Sequence, residues 1–195
     1  SVVRTKIGSP YVIKAMEELI QDNKKLVVGF EANGGFLLGT DCELYNTTLP
    51  ALPTRDAAIV HLAVLILGKK LGGISKLLAE LPKRFTASDR IENFPTEKSK
   101  KIIEMLSKEV LNKNYSLLVP LINQLGNISN YNNIDGLKIF FESKKSVHYR
   151  PSGNAPELRC YTEANSTDKA ESLIKIAFNF IEKCNAQLPQ IPKPS

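Results

Sequence analysis

Cysteine is scarce in this chain: Cys42, Cys160 and Cys184 are the three among 195 residues. Their odd number and their wide, unpaired spacing exclude a disulfide framework and a cysteine-based metal site, and favour a reducing compartment, the cytoplasm. Long hydrophobic runs are missing as well. The longest, residues 57–67, is interrupted by His61 and is far too short to cross a bilayer, so neither a membrane anchor nor a secretory leader is expected. Acidic residues are in deficit, 20 against 26 Lys and Arg, which gives a net charge of +6. The bases of 83–113 are nevertheless interspersed with acids, and no aromatic-studded basic stripe occurs, so a nucleic-acid partner is not the expectation. A small anionic ligand accounts for the charge more simply.

What is present is a globular composition, 43% hydrophobic and 24% charged, in a chain long enough for one or two domains with a sizeable core. It opens on a strand-like run, 1–7. Ser9 and Pro10 then suit the cap and first position of a helix with Val12, Ala15, Met16, Leu19 and Ile20 on one face. Residues 26–30 and 36–38 read as strands around a glycine-rich turn, and 41–53 as a loop. Asp56 reads as the cap or a first-turn acid of an apolar helix to about Gly68, and 74–81 as a shorter helix stopped by Pro82. The polar stretch 83–95 is poor in branched aliphatics and reads as a linker, dividing the chain into 1–90 and 91–195.

In the second part, Thr96 reads as the cap of a helix with Ile102, Ile103, Leu106 and Val110 inside. A short apolar piece, 117–125, an Asn-rich loop, 126–133, and three strands, 137–142, 146–149 and 157–163, follow. Asp168 and Glu171 open a final helix whose inner face is Ala170, Leu173, Ile174, Ala177, Phe178 and Ile181. The tail 187–195, with three prolines, reads as loose. The predicted fold class is an α/β unit followed by an α+β unit with an antiparallel sheet packed against helices.

Two turns carry chemistry. In the run 150–162 a strand enters a Pro/Ser/Gly/Asn/Pro turn and a second strand leaves it. Backbone N–H groups at such a turn can converge on an anion, Gly153 permits close approach, and Ser152 and Asn154 add side-chain donors. Arg150 and Arg159 flank the turn, and a guanidinium fork matches phosphate. The plain alternative is an ordinary hairpin with solvated arginines. In the turn 31–35, Glu31 offers acceptors for adjacent sugar hydroxyls and Asn33 both donor and acceptor, beside Gly34 and Gly35. Here the alternative is a simple hairpin signal.

Residues 150–164 resemble the phosphate-binding signature of the α-D-phosphohexomutases, the phosphomannomutase/phosphoglucomutase family, written Arg-Pro-Ser-Gly-Thr-Glu-Pro-x-x-Arg-x-Tyr-x-Glu-Ala. Arg150, Pro151, Ser152, Gly153, Pro156, Arg159, Tyr161, Glu163 and Ala164 stand in its places, with Asn154 for Thr and Ala155 for Glu. Residues 31–35 are similar to the family's sugar loop, Gly-Glu-x-Ser-Gly-His: Glu31 and Gly34 match, Asn33 replaces Ser and Gly35 replaces His. Thr5-Lys6-Ile7-Gly8 resembles a Thr-x-Val-Gly segment of the third domain. Thr54-Arg55-Asp56-Ala57 resembles Thr-Gly-Asp-Gly with both glycines replaced.

The resemblance implies part of a third domain, 1–90, followed by a TBP-like fourth domain, 91–195. It further implies interconversion of hexose 1-phosphate and 6-phosphate through a bisphosphorylated sugar. Phosphomannomutase is the first expectation, and phosphoglucomutase or phosphoglucosamine mutase stand beside it. Glu31, Asn33 and Gly34 would hold the sugar; Arg150, Ser152, Gly153, Asn154 and Arg159 would hold its phosphate. Mg2+ and hexose 1,6-bisphosphate are the implied cofactor and activator. The family's phosphoserine loop, Thr-Ala-Ser-His-Asn-Pro, and metal loop, Asp-Gly-Asp-x-Asp-Arg, do not occur in this sequence. No catalytic residue and no metal ligand is therefore expected here, and the chain alone should be inactive, depending on preceding domains of the same protein. An uncovered sheet edge would invite self-association. The competing class is a non-catalytic phosphosugar-binding module.

Overall fold

The computed structural model describes residues 1–31 and 33–187, in two compact units, Ser1–Pro82 and Lys83–Ser195. Among the described residues no helix is long and apolar enough to cross a membrane.

In the first unit, residues 1–7 form no strand, contrary to the pattern, and Val2 and Val3 are exposed. Helix α1 (Ser9–Gln21) follows Gly8, whose φ of 132° makes it the cap position. Ser9 lies inside the helix, and its hydroxyl turns to Glu31. Strands β1 (Val28–Phe30) and β2 (Phe36–Leu38) form the expected antiparallel hairpin, with Phe30 opposite Phe36. Gly29 sits under α1, where a Cβ would collide with Met16 and Val12. The core of this unit is Val12, Met16, Val27 and Leu37.

The stretch expected to be a loop holds a second hairpin, β3 (Cys42–Leu44) and β4 (Thr47–Leu49). Its turn is Tyr45-Asn46, both at positive φ, and the Tyr disguises a two-residue turn that usually reads Asn-Gly. Helix α2 (Ala57–Leu71) takes Asp56 as its cap, one of the two roles expected of it: the Asp56 carboxylate accepts from the N–H groups of Ala58 and Ile59. It ends on Gly72 in the left-handed region. Helix α3 (Ile74–Ala79) follows. Of all α2, only Gly68 is buried, and His61 is exposed.

The second unit begins eight residues before the expected boundary, because most of the supposed linker is a strand, β5 (Phe85–Ile91). It pairs with β9 (Leu158–Ala164) from Phe85↔Ala164 to Ile91↔Leu158. As an edge strand with one solvated face it carries Thr86, Ser88 and Arg90, and that polarity imitates a linker. Helix α4 (Thr96–Leu111) starts after Pro95, so Thr96 is its first residue and not its cap. Helix α5 (Val119–Leu125) leads to β6 (Ile128–Asn132), a second edge strand where an Asn-rich loop was expected. Strands β7 (Leu137–Phe141) and β8 (Ser146–Pro151) complete an antiparallel sheet in the order β5-β9-β8-β7-β6.

Helix α6 (Thr167–Gln187) is preceded by Ser166, whose hydroxyl oxygen accepts from the Lys169 N–H at 3.4 Å, so Asp168 is a first-turn acid and not the cap. Its buried face includes Phe180 and Cys184 in place of the expected Phe178, which is only partly covered. Residues 188–195, the greater part of the expected loose tail, lie outside the described residues.

Strict alternation along β9 sends Leu158, Cys160, Thr162 and Ala164 inward and Arg159, Tyr161 and Glu163 outward. The inward faces of β7, β8 and β9 pack against α4 and α6 in one core. Two strand hydroxyls pin α6: Tyr149 donates to the Ala177 carbonyl at 3.1 Å and Thr162 to that of Ala170 at 2.7 Å. Burial pushes the thiol of Cys160 up to about 12 and that of Cys184 to about 11, as befits unreactive core residues.

Candidate functional site

The turn between β8 and β9 stands at one end of the sheet face that the helices leave uncovered. In-register pairing places Arg90, Arg159 and Arg150 in a single row across β5, β9 and β8. Like charges on directly paired positions repel. Each has a carboxylate beside it: Arg90 has Glu92 at 2.9 Å, Arg159 has Glu157 at 3.4 Å, and Arg150 has Asp135 at 2.7 Å. Glu157 also lies 3.5 Å from Arg90. The Arg150–Asp135 contact runs from Nε to Oδ2, with the N–H off the line of a hydrogen bond.

Within the turn, the Ser152 N–H is committed to the Glu157 carbonyl at 3.0 Å, and the Asn154 N–H lies 3.4 Å from the Ser152 hydroxyl. Ser152 is buried, while Gly153 and Asn154 are exposed. The Phe94 N–H donates to the Pro156 carbonyl at 2.8 Å and so fixes the far side of the turn. Arg150, Ser152, Gly153, Asn154 and Arg159 thus gather at one hairpin end. Beside it an open depression of about 600 Å³ is lined by Ser88, Asp89, Arg90, Glu92, Arg159 and Tyr161, which extends the polar surface from the turn along β5.

The next row of the same face holds His148 opposite Tyr161, their rings 5.6 Å apart, and Lys138 opposite His148. Lys138 binds Glu163 at 2.7 Å. Nε2 of His148 lies 2.6 Å from the Asp135 carbonyl, which can only accept, so this nitrogen carries the proton. Burial pushes His148 below the ordinary histidine range; the bond to Asp135 and the Asp135 carboxylate oppose this, and Lys138 and Arg150 add to it.

A depressed folded value means that the unfolded chain takes the proton first. His148 therefore contributes stability above pH 6.5, and that contribution is lost as pH falls from there through the folded value. The His148 ring is expected to titrate below 6.5 by NMR. The fall in denaturant midpoint between pH 7 and pH 5 should be smaller in His148→Gln. A ring titrating at or above the ordinary value would contradict this.

The first unit's turn is tied differently. Glu31 Oε2 accepts from Arg55 Nε at 2.7 Å and from the Ser9 hydroxyl at 3.1 Å, and Arg55 Nη2 reaches Ser9 at 3.0 Å. The Arg55 hydrogen bond, opposed by burial, holds the Glu31 carboxyl below its usual range. Only 6% of the Glu31 side chain is exposed, against 54% of Arg55. Asn33 Oδ1 accepts from the Gly35 N–H at 3.0 Å, and Gly34 has φ 89°, so these two residues shape the turn. A Cβ at Gly35 would stand 2.8 Å from Glu31 Oε2 and 3.1 Å from Arg55 Nε, so a larger residue there would displace the ion pair.

Sequence reading missed Arg55, Asp135 and Arg90. Arg55 was visible only as an oddity in a helix-start motif, and the other two join the site through pairing and loop return that no local pattern reports. Among the described residues no three His, Cys, Asp or Glu side chains converge as metal ligands.

Comparison with known proteins gives a consistent result. Residues 1–85 match the model described as phosphoglucomutase/phosphomannomutase, alpha/beta/alpha domain III, and residues 75–178 match phosphoglucomutase/phosphomannomutase, C-terminal domain. A phosphomannomutase of Sinorhizobium fredii is 42% identical over 177 residues, covering 89% of this chain and 36% of that protein. One from Salmonella muenchen is 40% identical over 181 residues, covering 93% and 37%. A Thermococcus gammatolerans protein named "Probable phosphoglucosamine mutase" is 27% identical over 183 residues, covering 93% and 34%. The chain thus spans little more than a third of the length of these relatives. Among solved structures, a phosphoglucomutase/phosphomannomutase family protein of Burkholderia thailandensis shares the fold at a TM-score of 0.55 and 17% identity, over 97% of this chain and 34% of that one.

Proposed function

Because this chain belongs to the phosphoglucomutase/phosphomannomutase family, we propose that it forms the sugar- and phosphate-holding part of a longer, cytoplasmic phosphohexomutase. The proposed reaction interconverts hexose 1-phosphate and 6-phosphate through a bisphosphorylated sugar, with hexose 1,6-bisphosphate as activator. Mannose phosphate is the preferred substrate on the strength of the two relatives at 40% identity and above, both phosphomannomutases. Glucose or glucosamine phosphate is the second reading within the family.

The observation that carries the proposal is the pairing of Arg150 with Arg159 across the mouth of the Ser152-Gly153-Asn154 turn. Two guanidinium groups and short polar donors suit a phosphate monoester and offer no apolar floor for a larger ligand. In this reading Glu31, Asn33 and Gly34 meet sugar hydroxyls, and Arg55 holds the Glu31 carboxylate charged and in place. Phosphoryl transfer needs a nucleophile and a cation to spread developing charge. The residues described here do not fit a magnesium site; in this reading Mg2+ and the nucleophile are supplied by other domains of the longer protein, and this chain alone binds without turning over.

The test is a longer protein of the relatives' length that contains this chain, assayed with mannose, glucose and glucosamine phosphates. Interconversion with mannose phosphate favoured is the expected result. In that protein Glu31→Gln should lower turnover while leaving the affinity for inorganic phosphate unchanged. Tight binding of the phosphosugars with no interconversion would favour a non-catalytic binding module instead.

A further inference from the structure

The turn joining β6 to β7 is fastened to β8 at three points on or beside Arg150. Asp135 supplies two of them. Its carboxylate Oδ2 lies 2.7 Å from Arg150 Nε, and its carbonyl accepts from His148 Nε2 at 2.6 Å. The third is Gly136, at φ 83°, where a Cβ would collide with the Tyr149 carbonyl and stand 3.0 Å from the Arg150 Cα. Only glycine lets the turn lie this close. The Asn132 side chain shapes the approach by accepting from the Ile134 N–H at 2.9 Å.

We propose that Asp135 is a positioning residue for phosphate binding, holding the Arg150 guanidinium by its Nε edge so that its terminal amino groups face the turn at Ser152–Asn154. The proposal rests on the reading of that turn as a phosphate cradle. A free arginine side chain surrenders rotamer entropy when it is ordered. One already anchored in the unliganded protein does not surrender it again on binding. Arg150 is anchored in this sense: its side chain is 17% exposed and that of Asp135 is 21% exposed. Arg159 contrasts with it, being 37% exposed and reaching a carboxylate only two residues away at 3.4 Å. Arg150 is the more enclosed arm of the cradle and Arg159 the more exposed one.

The sign of the effect makes the proposal testable. Through space, the Asp135 charge opposes binding of an anion, so a purely electrostatic neighbour would improve affinity on removal. A positioning residue does the reverse.

The experiment titrates the full chain with inorganic phosphate, followed by 31P NMR, in wild type, Arg150→Ala, Asp135→Asn and the double variant. Asp135→Asn is expected to weaken binding about tenfold in wild type, the scale of one charge-assisted contact, and to have no such effect once Arg150 is alanine. The 15N resonance of Arg150 Nε should shift and broaden in Asp135→Asn. Binding equal to or tighter than wild type in Asp135→Asn, with Arg150→Ala weakened, would overturn the positioning role and leave the cradle standing. Equal weakening in both backgrounds would also overturn it, because the loss would then be general. Unchanged affinity in Arg150→Ala would remove the cradle itself and this proposal with it. Should Asp135→Asn lose the native circular dichroism spectrum, Asp135→Glu replaces it. That variant keeps the charge and displaces it by one methylene, so lost affinity supports positioning and wild-type affinity overturns it.

Discussion

Arg150→Ala is expected to weaken binding of phosphate monoesters by roughly ten- to a hundredfold, since a hydrogen bond to a charged group contributes about 1.5 to 3 kcal/mol. Asn154→Ala should weaken it only severalfold, because Asn154 is exposed and offers neutral donors worth about 1 kcal/mol. Arg150→Lys should restore part of the loss: an ammonium keeps the charge but cannot reach Asp135 and a phosphate together through a planar fork. The alanine variant also leaves Asp135 beside an emptied space. A small drop in stability, on the order of 1 kcal/mol for a partly exposed ion pair, should accompany the loss of affinity. Calorimetric titration with mannose 6-phosphate checks the ranking, and a denaturant midpoint checks the stability. Equal affinity in wild type and Arg150→Ala would remove the phosphate assignment.

The second large effect concerns the two units' unequal cores. Around Leu106, Ile139, Tyr149, Leu158 and Ile181 the second unit buries a continuous apolar interior, whereas the cluster in the first is Val12, Met16, Val27 and Leu37. Helix α2 in the first unit leaves Leu62, Leu65 and Ile66 each more than half exposed, at helical spacing along one face. Backbone amides of β8, β9 and α6 should therefore exchange orders of magnitude more slowly than those of α1 and β1. The 195-residue chain should self-associate through α2, since a contiguous apolar face of this kind seeks cover. Light scattering should report assemblies at micromolar concentration, and Leu62→Lys with Ile66→Glu should disperse them without altering exchange in the second unit. A monomer with uniform protection in both units would contradict both expectations.

The covalent pattern by itself determined the elements with strong periodicity or a clear chemical terminus. The alternation 158–164, the apolar faces of α4 and α6, the Asp56 cap and the hairpin around Gly34 could all be read locally, because each depends on neighbours within a few residues. The candidate turn was visible as a local pattern for the same reason: Arg150, Ser152, Gly153, Asn154 and Arg159 all lie within one short hairpin. Edge strands were not readable. Strands β5 and β6 have one partner and a solvated face, so their residues resemble linker and loop until β9 and β7 are present to pair with them. Tertiary structure alone decided which charges meet. Register set Arg90, Arg159 and Arg150 side by side, and the returning turn at 133–136 brought Asp135 to Arg150. The helix start at Arg55 met the loop at Glu31. These contacts span from 15 to 24 positions in the ion pairs and as many as 69 along the arginine row, distances at which composition and spacing carry no signal.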